Sequence, residues 1–239
     1  MAYQSVFQRY ELKYILTRDQ RRLIEDAMEQ YMAPDQYGRT TICNLYFDTE
    51  NYQLIRHSIE KPAYKEKLRI RSYGRAVPES MVFVELKRKY DGVVYKRRVN
   101  LPERTAMDWL VAGRPLQETT QISREIDYFM AHYKTLRPRV FLSYERQAWY
   151  DKGGSGFRVT FDENILCRQE ELSLCAASGG VHILPPDKVL MEIKCAGGIP
   201  MWLTQILSRE KIYKTSFSKY GTMYQSVIYP NTKELIKNA

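Results

Sequence analysis

The chain is poor in the features that mark several large protein classes. It has four cysteines in 239 residues, Cys43, Cys167, Cys175 and Cys195, and they follow neither a zinc spacing nor a CxxC redox pattern. They read as small buried hydrophobes in a reducing, cytoplasmic setting. The three histidines, His57, His132 and His182, are dispersed and give no metal-ligand spacing. No run of about 18 apolar residues occurs, which excludes a membrane-spanning helix. The opening "MAYQSVFQRYELKY" has no apolar signal core, which points away from secretion. Linkers rich in Gly, Pro or Ser, internal repeats and low-complexity tracts are also missing. One domain over residues 1–229 with a loose tail from 230 to 239 is the simplest organisation. "DKGGSG" at 151–156 lacks the GxxxxGK[ST] pattern of a phosphate loop and reads as a turn between two strands.

What the chain does have is positive charge. Lys and Arg number 37 against 28 Asp and Glu, for a formal net charge of +9. Such an excess calls for an anionic partner: nucleic acid, a membrane surface or a phosphorylated small molecule. An RNP-like aromatic motif and a basic tail are both absent, so nucleic acid is not expected. The nineteen tyrosines are scattered without a repeat.

Periodicity predicts a strand-rich chain with helices between. Strands are expected at 6–15, 40–48, 64–73, 81–90, 93–100, 138–149, 156–163 and 187–195. Asp91-Gly92 reads as a hairpin turn. Thr17 is placed as an N-cap with Gln20 closing a capping box, ahead of the stripe Leu23, Ile24, Ala27, Met28 and Tyr31. Further helices are expected near 50–59, 103–112, 120–135, 200–209 and 217–228. Asp48 in "YFDT" closes a turn or caps the helix after it. The segment 165–186 has no clear period.

The strands share one arrangement. In "YKEKLRIRSYG", Lys65, Lys67, Arg69 and Arg71 occupy alternate positions and so share a face. Arg9, Glu11 and Lys13 oppose Tyr10, Leu12 and Tyr14; Glu85 and Lys87 oppose Val82, Val84 and Leu86. Lys96 and Arg98 oppose Val93, Tyr95 and Val99. Arg158, Thr160 and Asp162 oppose Phe157, Val159 and Phe161, and Glu192 and Lys194 oppose Val189, Met191 and Ile193. An antiparallel sheet with one solvated face gives such alternation. The dominance of Lys and Arg on strand after strand suggests a barrel whose charged faces line a pore, with helices over the apolar outside. A polyanion would neutralise that lining.

The ordered set "RYELKY" (9–14), "LRIRSYG" (68–74), "VFVELK" (82–87), "YERQAW" (144–149), "FRVTFDENI" (157–165), "VLMEIK" (189–194) and "SFSKY" (216–220) resembles the VTC domain of polyphosphate polymerases, in the triphosphate tunnel (CYTH-like) superfamily. That resemblance covers nearly the whole chain. It implies an α+β fold, an antiparallel β-barrel tunnel with helices outside and a closing C-terminal helix, binding a nucleoside triphosphate such as ATP and inorganic polyphosphate. It carries phosphate-ligand roles onto Lys13, Arg69, Arg71, Lys87, Arg146 and Arg158. Further phosphate contacts fall on Arg9, Lys67, Lys96, Arg98, Lys194, Ser218 and Lys219. Glu192 matches the metal-binding carboxylate, for Mn²⁺ or Mg²⁺, with Glu11, Glu85 and Asp162 as candidate supporting carboxylates.

Two departures bear on activity. Hydrolytic tunnel enzymes begin with Glu-x-Glu-x-Lys, whereas here the first strand reads Arg9-Tyr-Glu11-Leu-Lys13. Replacing a carboxylate by Arg removes a metal ligand and adds a phosphate clamp, which argues against plain triphosphate hydrolysis. The SPX domain and membrane helices of the eukaryotic polymerase subunits have no counterpart here. A phosphohydrolase of the same fold and a non-catalytic polyphosphate-binding module are the alternatives.

Overall fold

The structure, a computed structural model, describes residues 10–91 and 93–230. Arg9 and most of the expected tail, 231–239, lie outside the described residues. In chain order the elements are β1 (Tyr10–Thr17), α1 (Arg18–Met28), β2 (Met32–Pro34), β3 (Thr40–Asp48), α2 (Gln53–Ile59) and β4 (Tyr64–Tyr73). They continue with β5 (Met81–Tyr90), β6 (Val93–Pro102), α3 (Glu103–Leu110), α4 (Gln121–Tyr133), β7 (Arg137–Asp151) and β8 (Arg158–Arg168). The last are β9 (Val181–His182), β10 (Lys188–Cys195), α5 (Met201–Arg209), β11 (Lys214–Thr215) and α6 (Lys219–Met223), which runs into a π-helical turn at Tyr224–Ile228.

Local chemistry sets several of these boundaries. Thr17 accepts from the Gln20 amide while the Gln20 side chain accepts from the Thr17 amide, so the capping box is complete. The buried carboxylate of Asp48 accepts from the backbone amides of Thr49, Leu54 and Ile55, which fixes the start of α2. Asp91 takes a φ of +42° between β5 and β6, the left-handed backbone that a tight hairpin turn requires.

The chain forms two compact units. The first comprises residues up to Thr40, Tyr144–Ile165 and Leu184–Phe217. Its strand order is β11-β1-β10-β8-β7, with β2 paired to β7. Tyr14, Leu16, Val159, Phe161, Met191 and Ile193 from the strands pack with Ile24 and Met28 of α1 and Leu203 and Ile206 of α5. The second unit comprises Thr41–Ser143, Leu166–Ile183 and the chain from Ser218. Its order is β7-β3-β4-β5-β6, with β9 beside β8. There Leu45, Leu68, Ile70, Val82, Val84 and Leu86 pack with Ala106 and Trp109 of α3 and Ile126 and Phe129 of α4.

The fold class is the expected one, α+β with antiparallel strands and helices on the apolar face of each unit. Within each unit, however, the strand order is an open path among the described residues, ending at β11 in the first and at β6 in the second. "Barrel" therefore overstates what hydrogen bonding closes. Alternation of side chains dictates which face of a strand is buried and carries no information on whether sheet edges meet. The short strands β2, β9 and β11 fall outside the sequence reading because two or three residues show no period.

No helix among the described residues is long and apolar enough to cross a membrane. Cys43, Cys167 and Cys195 are buried thiols, as expected, and Cys175 is half-buried.

The two faces of the β4–β5 hairpin give a stability test. Leu68 is fully buried while Lys87 is exposed. Leu68→Ala should cost about 2–5 kcal/mol in urea unfolding, and Lys87→Ala should stay within about 0.5 kcal/mol of wild type.

Candidate anion-binding site

The register of the second unit brings the charged residues into cross-strand rows. Tyr46, Arg69, Glu85 and Arg98 stand side by side on β3, β4, β5 and β6. The next row is Lys67, Lys87 and Lys96, and beyond it Lys65 lies opposite Lys89. Towards the other end come Asn44, Arg71, Phe83 and Asn100. Directly opposed like charges destabilise a sheet, so the arrangement needs a compensating anion.

Glu85 supplies the only carboxylate on this face of β4, β5 and β6. Its side chain is 1% exposed. One oxygen, Oε2, accepts from Arg69 Nε at 2.9 Å and Nη2 at 2.7 Å. The other, Oε1, accepts from Arg98 Nε at 3.0 Å and Nη2 at 2.6 Å, and lies 2.6 Å from Lys96 Nζ. Burial alone would raise the Glu85 carboxyl, but Arg69, Arg71 and Lys96 hold it well below the usual carboxylate range. Burial lowers Lys96 to about 8, with Glu85 opposing and Arg98 and Arg69 adding to the fall. Arg98 also lies over the Phe83 ring at 4.5 Å. Arg71 is buried and donates from Nε to Asn44 Oδ1 at 3.0 Å. The basic row of β4 thus faces away from the Leu68 and Ile70 core, as its alternation predicts.

In the first unit, β1, β10 and β8 pair Glu11 with Lys194, Lys13 with Glu192, and Lys194 with Arg158. Lys13 Nζ lies 3.4 Å from Glu11 and 3.5 Å from Glu192, and donates to the Phe217 carbonyl at 3.1 Å. Arg146 makes a bidentate pair with the fully buried Asp162, both contacts 2.6 Å, and reaches Glu192 Oε2 at 3.0 Å. Burial would lower the Arg146 guanidinium, yet Asp162 leads the groups that raise it well above its ordinary value. Arg158 lies 4.8 Å from the centre of the Tyr150 ring, and its buried Nε has no hydrogen-bond partner among the described residues. Lys194 is lowered chiefly by burial; Glu11 and Glu192 oppose that, and Arg146 and Arg158 reinforce it.

The predicted residues therefore fall into two sets. Glu11, Lys13, Arg146, Arg158, Asp162, Glu192 and Lys194 share the charged face of the first unit. Lys67, Arg69, Arg71, Glu85, Lys87, Lys96 and Arg98 share that of the second. Ser218 caps α6 by accepting from the Gly221 amide, and Lys219 is buried at the start of that helix. Two of the carboxylates do more than support a site: Glu85 and Asp162 are the buried anchors of the arginines.

A divalent cation would find no protein cage. Among the described residues no cluster of three Asp, Glu, His or Cys could hold one. Glu192, which Lys13 and Arg146 also contact, would hold a cation only with phosphate oxygens supplying most of the other ligands, a common arrangement for Mg²⁺.

Sequence reasoning overlooked two features. Glu66 lies on the apolar side of β4, buried, where it accepts from Arg88 Nε at 2.8 Å, Tyr64 Oη at 2.5 Å and Tyr133 Oη at 3.1 Å. Glu125 on α4 extends this cluster to Arg97 at 3.2 Å. The second is Tyr46, which accepts from Arg69 Nη1 at 3.0 Å. Its register opposite Arg69 follows from the β3–β4 pairing and was the one available clue.

Residues 8–228 match the family model of the VTC domain, and the chain belongs to that family. No curated protein matches it in sequence. A candidate adenylate cyclase from Bacillus halodurans has a similar fold, with 15% identity, a TM-score of 0.55, and coverage of 88% of this chain and 95% of that one. A candidate adenylyl cyclase from Hippeastrum, described as having a dominant triphosphatase activity, is 18% identical with a TM-score of 0.47, covering 90% of this chain and 94% of its own.

Removing the Glu85 charge leaves Arg69, Lys96 and Arg98 crowded and uncompensated. Glu85→Gln should cost about 3–5 kcal/mol at neutral pH. A depressed carboxyl stabilises the fold above its unfolded pKa, near 4.3, and loses that contribution as pH falls through its lower folded value. The gap in thermal midpoint between wild type and variant should therefore narrow as pH drops below about 4. Added tripolyphosphate should stabilise the variant more than the wild type.

Proposed function

We propose that this member of the VTC domain family is a polyphosphate polymerase, transferring the γ-phosphate of ATP to a growing inorganic polyphosphate chain. One observation carries the reading. On the charged face of β4, β5 and β6, Lys65, Lys67, Arg69, Arg71, Lys87, Lys89, Lys96 and Arg98 are set against the single carboxylate of Glu85. A surplus on that scale suits a linear polyanion whose charges repeat along its length. Arginines fixed by Glu85 present oriented donors, and the lysines supply mobile point charges to a chain that must slide.

Phosphoryl transfer depends on in-line positioning and on neutralising the moving group more than on covalent help. In the second unit Arg69, Arg71 and Lys87, with Lys67, Lys96, Arg98, Ser218 and Lys219, would bind and orient phosphates. In the first unit Lys13, Arg146 and Arg158 would take that role, with Lys194 beside them. Arg9 is assigned with them on the family resemblance alone. The acceptor's terminal phosphate is already an anionic nucleophile, so no side chain need remove a proton. Glu192, assisted by Glu11, would hold Mn²⁺ or Mg²⁺, which when bound neutralises charge on the transferred group. Asp162 serves by holding Arg146.

The test is incubation of the purified protein with ATP and Mn²⁺, followed by gel detection of polyphosphate and assay of ADP. Polymer together with ADP is expected. Free phosphate without polymer would make the chain a phosphohydrolase, and no turnover with Mn²⁺, or with Mg²⁺ in its place, would make it a binding module. Glu192→Gln should lower the rate of polymer synthesis by on the order of 10²-fold while nucleotide binding persists. Polymer formation by that variant at the wild-type rate would reduce Glu192 to a structural partner of Lys13 and Arg146.

A further inference from the structure

Tyr46 stands in the row with Arg69, Glu85 and Arg98, and the roles above leave it unused. It is 7% exposed and fixed from three sides. Its ring stacks on Tyr220 of α6 at 4.9 Å between centroids. The guanidinium of Arg69 lies 5.8 Å from the ring centre, and its Nη1 donates to the Tyr46 hydroxyl at 3.0 Å. Behind the stack, Tyr220 Oη donates to Asp48 Oδ2 at 2.8 Å, and Asp48 is itself held by three backbone amides at the start of α2.

This leaves one proton to account for. A phenol that accepts from a guanidinium still carries its own hydrogen, and arginine has no lone pair to take it. The Tyr220 hydroxyl is committed to Asp48. No acceptor for the Tyr46 proton is found among the described residues. A buried donor without an acceptor is costly unless a ligand completes it.

We propose that Tyr46 is a phosphate-contacting residue, its hydroxyl held by Arg69 and donating a hydrogen bond to a non-bridging oxygen of a phosphate bound on the β4–β6 cation face. This inference rests on the phosphate-binding part of the proposed function. It assigns the row Tyr46–Arg69–Glu85–Arg98 three parts: Glu85 anchors, the arginines attract, and the phenol adds a directional donor.

The charges around Tyr46 agree with that role. Burial would raise its ionisation, but Arg69, Lys67 and Arg71 on β4 outweigh it and bring the phenol down to about 8. Asp48 on its own strand and Tyr220 on α6 also face it, the carboxylate satisfied by its own donors. Below pH 8 the neutral phenol donates; above it the phenolate keeps its bond from Arg69 and repels phosphate. Affinity for an inorganic phosphate chain should therefore decline as pH rises through about 8. Lys96 loses its charge in the same range, so a decline in affinity alone would not identify Tyr46. The ultraviolet absorbance of tyrosinate does, because lysine contributes nothing to it.

The experiment titrates wild type, Tyr46→Phe and Tyr220→Phe with and without saturating tripolyphosphate, and measures tripolyphosphate affinity at pH 7. Wild type should show one tyrosine ionising near pH 8, displaced upward by tripolyphosphate. Tyr46→Phe, which keeps the ring stack, should lack that ionisation and bind tripolyphosphate roughly tenfold more weakly. Tyr220→Phe breaks only the bond to Asp48 and should keep both the ionisation and the affinity. Equal affinity in wild type and Tyr46→Phe, an ionisation that tripolyphosphate does not move, or an equal loss in Tyr220→Phe would overturn the proposal. A wild type that binds no tripolyphosphate would instead sink the phosphate reading itself, and this contact with it.

Discussion

The buried carboxylate of Glu85 is the contact on which the charged face of the second unit depends. Taking a carboxylate out of water is costly, and the cost is recovered only if several donors converge on it. Here Arg69, Arg98 and Lys96 do so, on neighbouring strands and within 3.0 Å. One negative charge thereby fixes the geometry of three positive ones and leaves the face with a large cationic surplus. Asp162 plays the corresponding part in the first unit by pinning Arg146 beside Glu192. Each carboxylate immobilises arginines before any ligand arrives, so less conformational entropy is lost when one binds.

The other face of the same strands carries the stability. Leu68, Ile70, Val82, Val84 and Leu86 alternate with the cations and pack under α3 and α4. Val159, Phe161, Met191 and Ile193 do the same beneath α1 and α5. Period-two alternation puts the two jobs on one backbone: a shift of register by a single residue would bury the lysines and expose the core. Strand register is thus held by the apolar face, and the spacing of the cations follows from it.

Much of this was legible in the sequence. The bounds of β3, β4 and β5 coincide with the predicted runs: β4 and β5 alternate in burial, and β3 is a continuous buried run rich in β-formers. The faces followed from parity, and the Thr17 capping box from its residue types. The role of Glu85 was not legible, because alternation says which face a residue joins and nothing of how deeply neighbouring strands bury it. Glu66 was missed for the converse reason: a glutamate on an apolar face makes sense only once Arg88, Tyr64 and Tyr133 are seen to converge on it. Tyr46 sits in a strand rich in large hydrophobes, where nothing in the local sequence sets it apart, and only the β3–β4 register places it beside Arg69. The tunnel reading of the strands went further than hydrogen bonding does, since edge closure leaves no trace in periodicity.

The claim at the centre of this account is that the cation rows keyed to Glu85 are built to hold a chain of phosphates. A crystal structure with tripolyphosphate bound tests it most directly. The account predicts phosphate oxygens within hydrogen-bond distance of Arg69, Lys96 and Arg98, with Glu85 still clamping the two arginines from behind. Tripolyphosphate found elsewhere on the protein, with the β4–β6 face in contact only with water, would contradict it.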